Sequence, residues 1–267
     1  MEARNSIYLI RHAQSLYNVV SAKVKSEGLE PFTFKFKEEY IDCGISPDGI
    51  EQAKQAGEIL KDVNIRLVIT SPFRRCLLTT HYIFQNHPNK PKVLVWPIVR
   101  ERIESSCDIP SDIEELKKEF PLYDFSEVEK YKQPNFWLFE TMTNQTMKSD
   151  LLSEMDQLFK TEEEKLKSYR LWLAKKMEMT YPALSEHGKD IFERTLMAKS
   201  ALERVVQELK GDEKLALVSH SGFLIRFTSS AVDEKGAPVD GRYFKNCDIV
   251  EYNLTNHSIE SERTLSS

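Results

Sequence analysis

One arrangement recurs along this chain and limits what it can fold into: a short apolar, β-branched run that stops at a charged or titratable side chain. Ser6 to Ile10 runs into Arg11 and His12, and Arg66 to Thr70 into Ser71-Pro72 and the pair Arg74-Arg75. Lys92 to Val99 runs into Arg100 and Glu101, and Leu215 to Val218 into Ser219 and His220. Such runs are the pattern of strands buried in a parallel sheet. An open α/β sheet gathers the C-terminal ends of its strands into one crevice, where ligands bind. The sequence therefore predicts an α/β fold, a doubly wound, mainly parallel sheet flanked by helices, with Arg11, His12, Arg75, Glu101 and His220 collected at one mouth. Each residue alone has a plainer reading: Arg11 on a surface carboxylate, His12 capping a turn, Glu101 in an exposed ion pair with Arg102. Their repetition at four strand ends favours a site.

Between the strands the helical signals are local. Ser46 is an N-cap with Pro47 at the first helical position, and Ile50, Ala53, Gly57 and Leu60 follow as one apolar stripe. Arg74 and Arg75 fall in the opening turn of the next helix, where unpaired N–H groups already favour an anion. Neighbours on a helix point about 100° apart, so at most one of the two faces the crevice. Asp190 to Lys210 reads as a long helix stopped by Gly211, and Asp248 to Leu254 as a last strand before a polar, disordered tail, Thr255 to Ser267. Val19 to Tyr40 reads as a polar, mobile passage whose Phe32, Phe34 and Phe36 pack on the core; the alternative is an aromatic lip with Lys35 and Lys37.

The alternation stops from Ile109 to His187. Capping-box signatures at Ser111 to Glu114 and Thr161 to Glu164 open helices there, and a dense aromatic set lies between them. Residues 109–187 are expected to form a mostly helical insertion, covering one side of the crevice, within a single domain spanning residues 1–267. The acidic run Glu162 to Glu164 reads as a solvated helical face.

With 37 Lys+Arg against 42 Asp+Glu the formal net charge is −5, so any attraction for anions must be local to a pocket. That argues against nucleic-acid and membrane-surface partners. Four cysteines without CxxC spacing suggest buried thiols in a reducing compartment, and Met1 to Asn5 lacks a secretory core. A cytoplasmic protein is expected. His81, His87, His187 and His257 lack metal-ligand spacing and read as surface or turn residues, so no metal is expected.

Two histidines, two arginines and a carboxyl group suit phosphoryl transfer, in which the protein positions three charged oxygens and supplies cationic donors. No Cys-x₅-Arg, Asp-x-Asp or Gly-x₄-Gly-Lys pattern offers another phosphatase or nucleotide chemistry. At these residues the chain resembles the histidine phosphatase superfamily, the phosphoglycerate-mutase-like proteins. Arg11-His12-Ala13-Gln14-Ser15-Leu16-Tyr17-Asn18 is similar to its Arg-His-Gly-x-Ser-x-x-Asn segment, with Ala13 in place of glycine. Ile45 to Ala53 resembles its Leu-Thr-x-x-Gly-x-x-Gln-Ala segment, and Ser71-Pro72-Phe73-Arg74-Arg75 its Ser-Pro-x-x-Arg element, which selects Arg75 over Arg74. Arg100-Glu101 and Val218-Ser219-His220 resemble the segments holding the proton donor and second histidine.

The resemblance implies a phosphomonoester hydrolase that needs neither metal nor cofactor and acts on a small phosphorylated substrate. His12 would form a phosphohistidine, Arg11, Asn18, Arg75 and His220 would hold the phosphoryl oxygens, and Glu101 would serve as general acid and then base. Glu104 and Asp108 compete for that last role. The alternatives are a phosphomutase of the phosphoglycerate-mutase type and a non-catalytic phosphate-binding scaffold. Val99-Arg100-Glu101-Arg102-Ile103-Glu104 departs from the Asn-Glu-Arg-His-Tyr-Gly of the glycolytic mutases, which favours hydrolysis. Aromatic residues near the mouth lean the expected leaving group towards a bulky or apolar one.

Overall fold

The apolar runs become strands because alternate side chains find a core on each face of one sheet. In a computed structural model, which describes residues 5–30, 32–263 and 265, these are β1 (Ser6–Arg11), β2 (Ile65–Thr70), β3 (Lys92–Val95), β4 (Lys214–Ser219), β5 (Ile249–Asn253) and β6 (Ser258–Arg263). Their order is β3-β2-β4-β1-β5-β6; the first four are mutually parallel, while β5 and β6 add an antiparallel edge. The register pairs Ile10 with Val218 and Arg11 with Ser219, and Val218 with Thr70. His12 and His220 therefore leave the sheet side by side.

The helices are α1 (Leu16–Ser26), α2 (Phe32–Lys35), α3 (Pro47–Leu60), α4 (Arg74–Phe84), α5 (Ile113–Glu119), α6 (Ser126–Glu129), α7 (Trp137–Glu140), α8 (Gln145–Leu158), α9 (Glu162–Thr180), α10 (Gly188–Gln207) and α11 (Ser221–Phe227). On one sheet face Ile7, Leu9, Leu215 and Leu217 meet Leu202 of α10 and Phe223 of α11. On the other, Tyr8, Ile10, Val68 and Val218 meet Ala53 and Leu60 of α3 and Ile83 of α4. The sheet is thus doubly wound, as expected. Residues 109–187 gather a third core around Trp137, Phe139, Tyr169 and Leu173, which reaches the sheet layer through Phe73, Leu77 and Val95. Among the described residues no helix is long and apolar enough to cross a membrane.

Four local expectations change. The polar passage after Val19 is largely helical: Ser15 caps α1, its hydroxyl accepting from the Asn18 amide while the Asn18 side chain accepts from the Ser15 amide. Val24 is the only residue of α1 that is buried, so the helix carries almost no apolar stripe to betray it. Asp112, rather than Ser111, caps α5; the Ser111 amide donates to Asp42 instead. His87 is buried, its Nε2 3.2 Å from the Leu60 carbonyl. Finally, Ser258–Arg263 of the expected tail forms β6 against β5, because a turn at residues 255–257 folds a second strand onto the open edge; Thr264, Ser266 and Ser267 lie outside the described residues.

Candidate active site

His12 stands one residue beyond β1, 5 % exposed, with its backbone N–H donating to Ser219 across the β1–β4 seam. Its Nδ1 lies 2.7 Å from the Ala13 carbonyl. A carbonyl only accepts, so Nδ1 carries the proton and Nε2 of the neutral ring keeps its lone pair. Burial, with the Arg75 and Arg11 charges behind it, holds the His12 pKa well below the usual imidazole value. The loop is further fixed by Ala13 N–H on Thr79 and by Asn246, whose amide donates to the His12 carbonyl and to Asn18. A Cβ at Gly49 would meet the Gln14 carbonyl at 2.2 Å, so glycine there lets α3 close onto this loop.

Arg75, in the first turn of α4, is buried and fully oriented. Its Nη1 donates to the Cys107 carbonyl at 2.5 Å, its Nη2 to Asp108 at 2.9 Å and its Nε to Nδ1 of His220 at 3.2 Å. Asp108 also accepts from the Glu104 and Ser105 amides and the Ser105 hydroxyl. Burial raises its pKa and the Arg75 charge works against that rise; in direct contact with Arg75, Asp108 serves to anchor that guanidinium. With Nδ1 accepting, Nε2–H of neutral His220 donates to Ser71 Oγ at 2.8 Å. Burial, then the Arg75 charge, lowers the His220 pKa well below the usual value.

Glu101 follows a short turn after β3. Its Oε2 accepts from the Gly222 amide and its Oε1 from the Arg102 amide, both at 2.9 Å. A Cβ at Gly222, the second residue of α11, would approach Oε1 to 2.4 Å, so glycine there leaves room for this carboxyl as placed. Beneath it lies a buried charge cluster. Arg100 grips Glu186 with two bonds of 2.6 and 2.7 Å, and Arg194 donates to the carbonyls of Ile98, Arg100 and Glu101. These groups hold the backbone that presents Glu101. Glu104 is occupied otherwise, by Lys35 at 3.0 Å and by Arg102.

A cavity of about 540 Å³ opens above these groups, and Arg11, His12, Asn18, Arg75 and Glu101 all line it. His220 does not. It is fully buried behind Arg75, its ring 5.2 Å from that of His12. No residue of 109–187 lines the cavity either; the walls come from α1 and α2 (Tyr17, Phe34, Lys35), the 102–108 turn, and the α11 side (Arg226, Tyr243). Sequence reasoning missed Ser71 as a histidine partner and the Glu186–Arg194 cluster. The signal for Ser71 was present in the Ser-Pro element itself, whereas nothing local marks Glu186.

A family model described as "Histidine phosphatase superfamily (branch 1)" matches residues 7–146, more than half of the chain. The chain belongs to the histidine phosphatase superfamily. A curated Schizosaccharomyces pombe protein named a "Probable phosphatase" is 26% identical over 212 residues, covering 76% of this chain and 84% of that one. The ecdysone phosphate phosphatase of Bombyx mori is similar in fold, with TM-score 0.56 and 14% identity, covering 98% of this chain and 95% of the other. A mycobacterial glucosyl-3-phosphoglycerate phosphatase reaches TM-score 0.51 at 15% identity, covering 98% and 99%. Arg11 and His12 at the end of β1, Arg75 in the helix after β2, Glu101 beyond β3 and His220 after β4 meet at one end of the sheet.

Proposed function

We propose that the protein hydrolyses phosphomonoesters through a phosphohistidine on His12. The observation that carries the reading is the His12–Ala13 bond, which leaves Nε2 unprotonated at the cavity floor beside two guanidinium groups. The Nε2 lone pair attacks phosphorus in line as the ester P–O bond breaks. Arg11, Arg75 and Asn18 hold the phosphoryl oxygens while their charge redistributes. The Glu101 carboxyl gives its proton to the leaving alkoxide; as a carboxylate it then takes a proton from the water that attacks the phosphohistidine, releasing inorganic phosphate and neutral His12.

In this scheme His220 works through Arg75, whose Nε it receives, and Asp108 fixes the other edge of that guanidinium. Residues 109–187 serve as a helical insertion that buttresses Glu101 from below, through Glu186, rather than roofing the cavity. Four buried, free cysteines support a cytoplasmic setting. The curated phosphatase relative supports hydrolysis over mutase chemistry.

Phosphate release from a general aryl phosphate, measured in chelator for wild type beside His12→Ala, tests the reading. Release that survives chelation and is absent from the variant is the expected outcome. Phosphoryl transfer to a second hydroxyl without net release would replace it with the mutase.

A further inference from the structure

The turn that leads into β5 touches three of the residues assigned to the phosphoryl group, although no motif marks it in the sequence. The Phe244 carbonyl accepts from Arg11 Nη1 at 2.7 Å, and the Cys247 amide donates to the Arg11 carbonyl at 3.2 Å. Asn246 Nδ2 lies 2.9 Å from the His12 carbonyl and 3.3 Å from Asn18 Oδ1. Just after it, Cys247 holds a left-handed φ of +55°, which a residue with a side chain rarely adopts. Strain of this kind persists where the surroundings enforce it, and it collects at functional sites. Here Asp248 enforces it: its carboxylate accepts from the Lys245 amide and from Arg242, and Arg242 also pairs with Glu262 of β6. The antiparallel edge of the sheet thereby anchors the turn.

Backbone partners decide how both amides point. Asn18 Oδ1 accepts from the Ser15 N–H at 3.1 Å, so the atom there is the oxygen. The Asn246 atom facing the His12 carbonyl has to donate, so it is the nitrogen. An NH2 group has two hydrogens, and Asn246 gives one to the carbonyl of His12 and the other to Asn18. With the Ser15 bond alone, Oδ1 would be a pivot about which the Asn18 carboxamide swings. A second bond fixes its plane, and with it the line along which Asn18 Nδ2 reaches the cavity that this residue lines. We propose that Asn246 is a positioning residue for phosphoryl transfer: it holds the Asn18 carboxamide as an N–H donor at a set distance from His12. This rests on the phosphatase reading for the task of Asn18.

Orthovanadate, an oxyanion that can take His12 Nε2 as a fifth ligand, tests this without turnover. Calorimetry would compare its affinity in wild type, Asn18→Ala, Asn246→Ala and the double variant, with thermal melting as the check on folding. Asn246→Leu, which keeps the shape of the side chain without its donors, stands in if Asn246→Ala does not fold. Loss of an oxyanion donor predicts binding about 10- to 100-fold weaker in Asn18→Ala. Loss of the orienting bond predicts binding about 3- to 10-fold weaker in Asn246→Ala. In the Asn18→Ala background the Asn246 substitution should cost less than about twofold more, because the group it orients is gone. In turnover of an aryl phosphate the Asn246→Ala loss should fall in kcat, with KM within about threefold of wild type, as for donors whose bonds strengthen in the transition state. Losses that multiply in the double variant, as a general slackening of the turn would give, overturn the inference. So does vanadate binding unchanged in the folded Asn246 variants, or a turnover loss confined to KM. Wild type that binds no vanadate overturns it together with the oxyanion site. Coupled vanadate binding without any turnover upholds the hold of Asn246 on Asn18 and refutes the phosphatase.

Discussion

His12 and His220 occupy equivalent points of neighbouring parallel strands, each one residue beyond the Arg11–Ser219 pair, yet their hydrogen bonding differs. Both rings are buried, and in both cases burial and then the Arg75 charge lower the pKa. What separates them is which nitrogens are spoken for. His12 uses one, on a carbonyl a single residue away, and presents the other to the cavity; His220 uses both, one on Arg75 and one on Ser71. Under the proposed mechanism, neither position in the sheet nor pKa direction tells nucleophile from support. The bonding of the second nitrogen does.

The largest test of this contrast is His12→Ala, expected to abolish both turnover and the acid-quenched phosphoenzyme, because no other nitrogen is offered to the phosphorus. His220→Gln keeps an acceptor for Arg75 and should lower kcat by about 10²-fold or less, with the phosphoenzyme still trapped; loss as complete as that of His12→Ala would break the distinction. Stability against pH sharpens the shared feature. Above the ordinary imidazole value both states hold these rings neutral, so their contribution is fully present there. As pH falls below it the unfolded chain takes up protons that the folded chain refuses, and stability is lost at up to about 1.4 kcal/mol per pH unit for each ring. Urea unfolding at several pH values should show a shallower acid slope for His220→Gln than for wild type. The smallest effect belongs to Ser71→Ala, which leaves Nε2–H of His220 without its acceptor and should cost about 1 kcal/mol of stability with a modest fall in kcat.

Much of this arrangement was legible in the sequence because it is local. Ser6 to Ile10 and Leu215 to Val218 announce strands by composition, and the groups just past them are carried wherever those strands go. The cap at Ser46 was legible for the same reason. What was not legible depends on pairs distant along the chain. Glu186 looks like any acidic loop residue until Arg100 closes on it, and the orientation of His220 follows from Arg75 and Ser71, contributed by a different strand end. The 258–263 segment is polar on its own and becomes a strand because β5 leaves an edge to pair with. Helix α1 was hidden by the opposite deficit: it buries so little that no stripe is written into it.

The bond between His12 and the Ala13 carbonyl spans one residue. That bond sets which nitrogen carries the proton within the dipeptide itself, while burial and the Arg75 and Arg11 charges set how readily the ring takes a second one. Under the proposed mechanism, the loops at the rim and the helices of 109–187 can then be altered without changing which nitrogen of His12 is offered for attack.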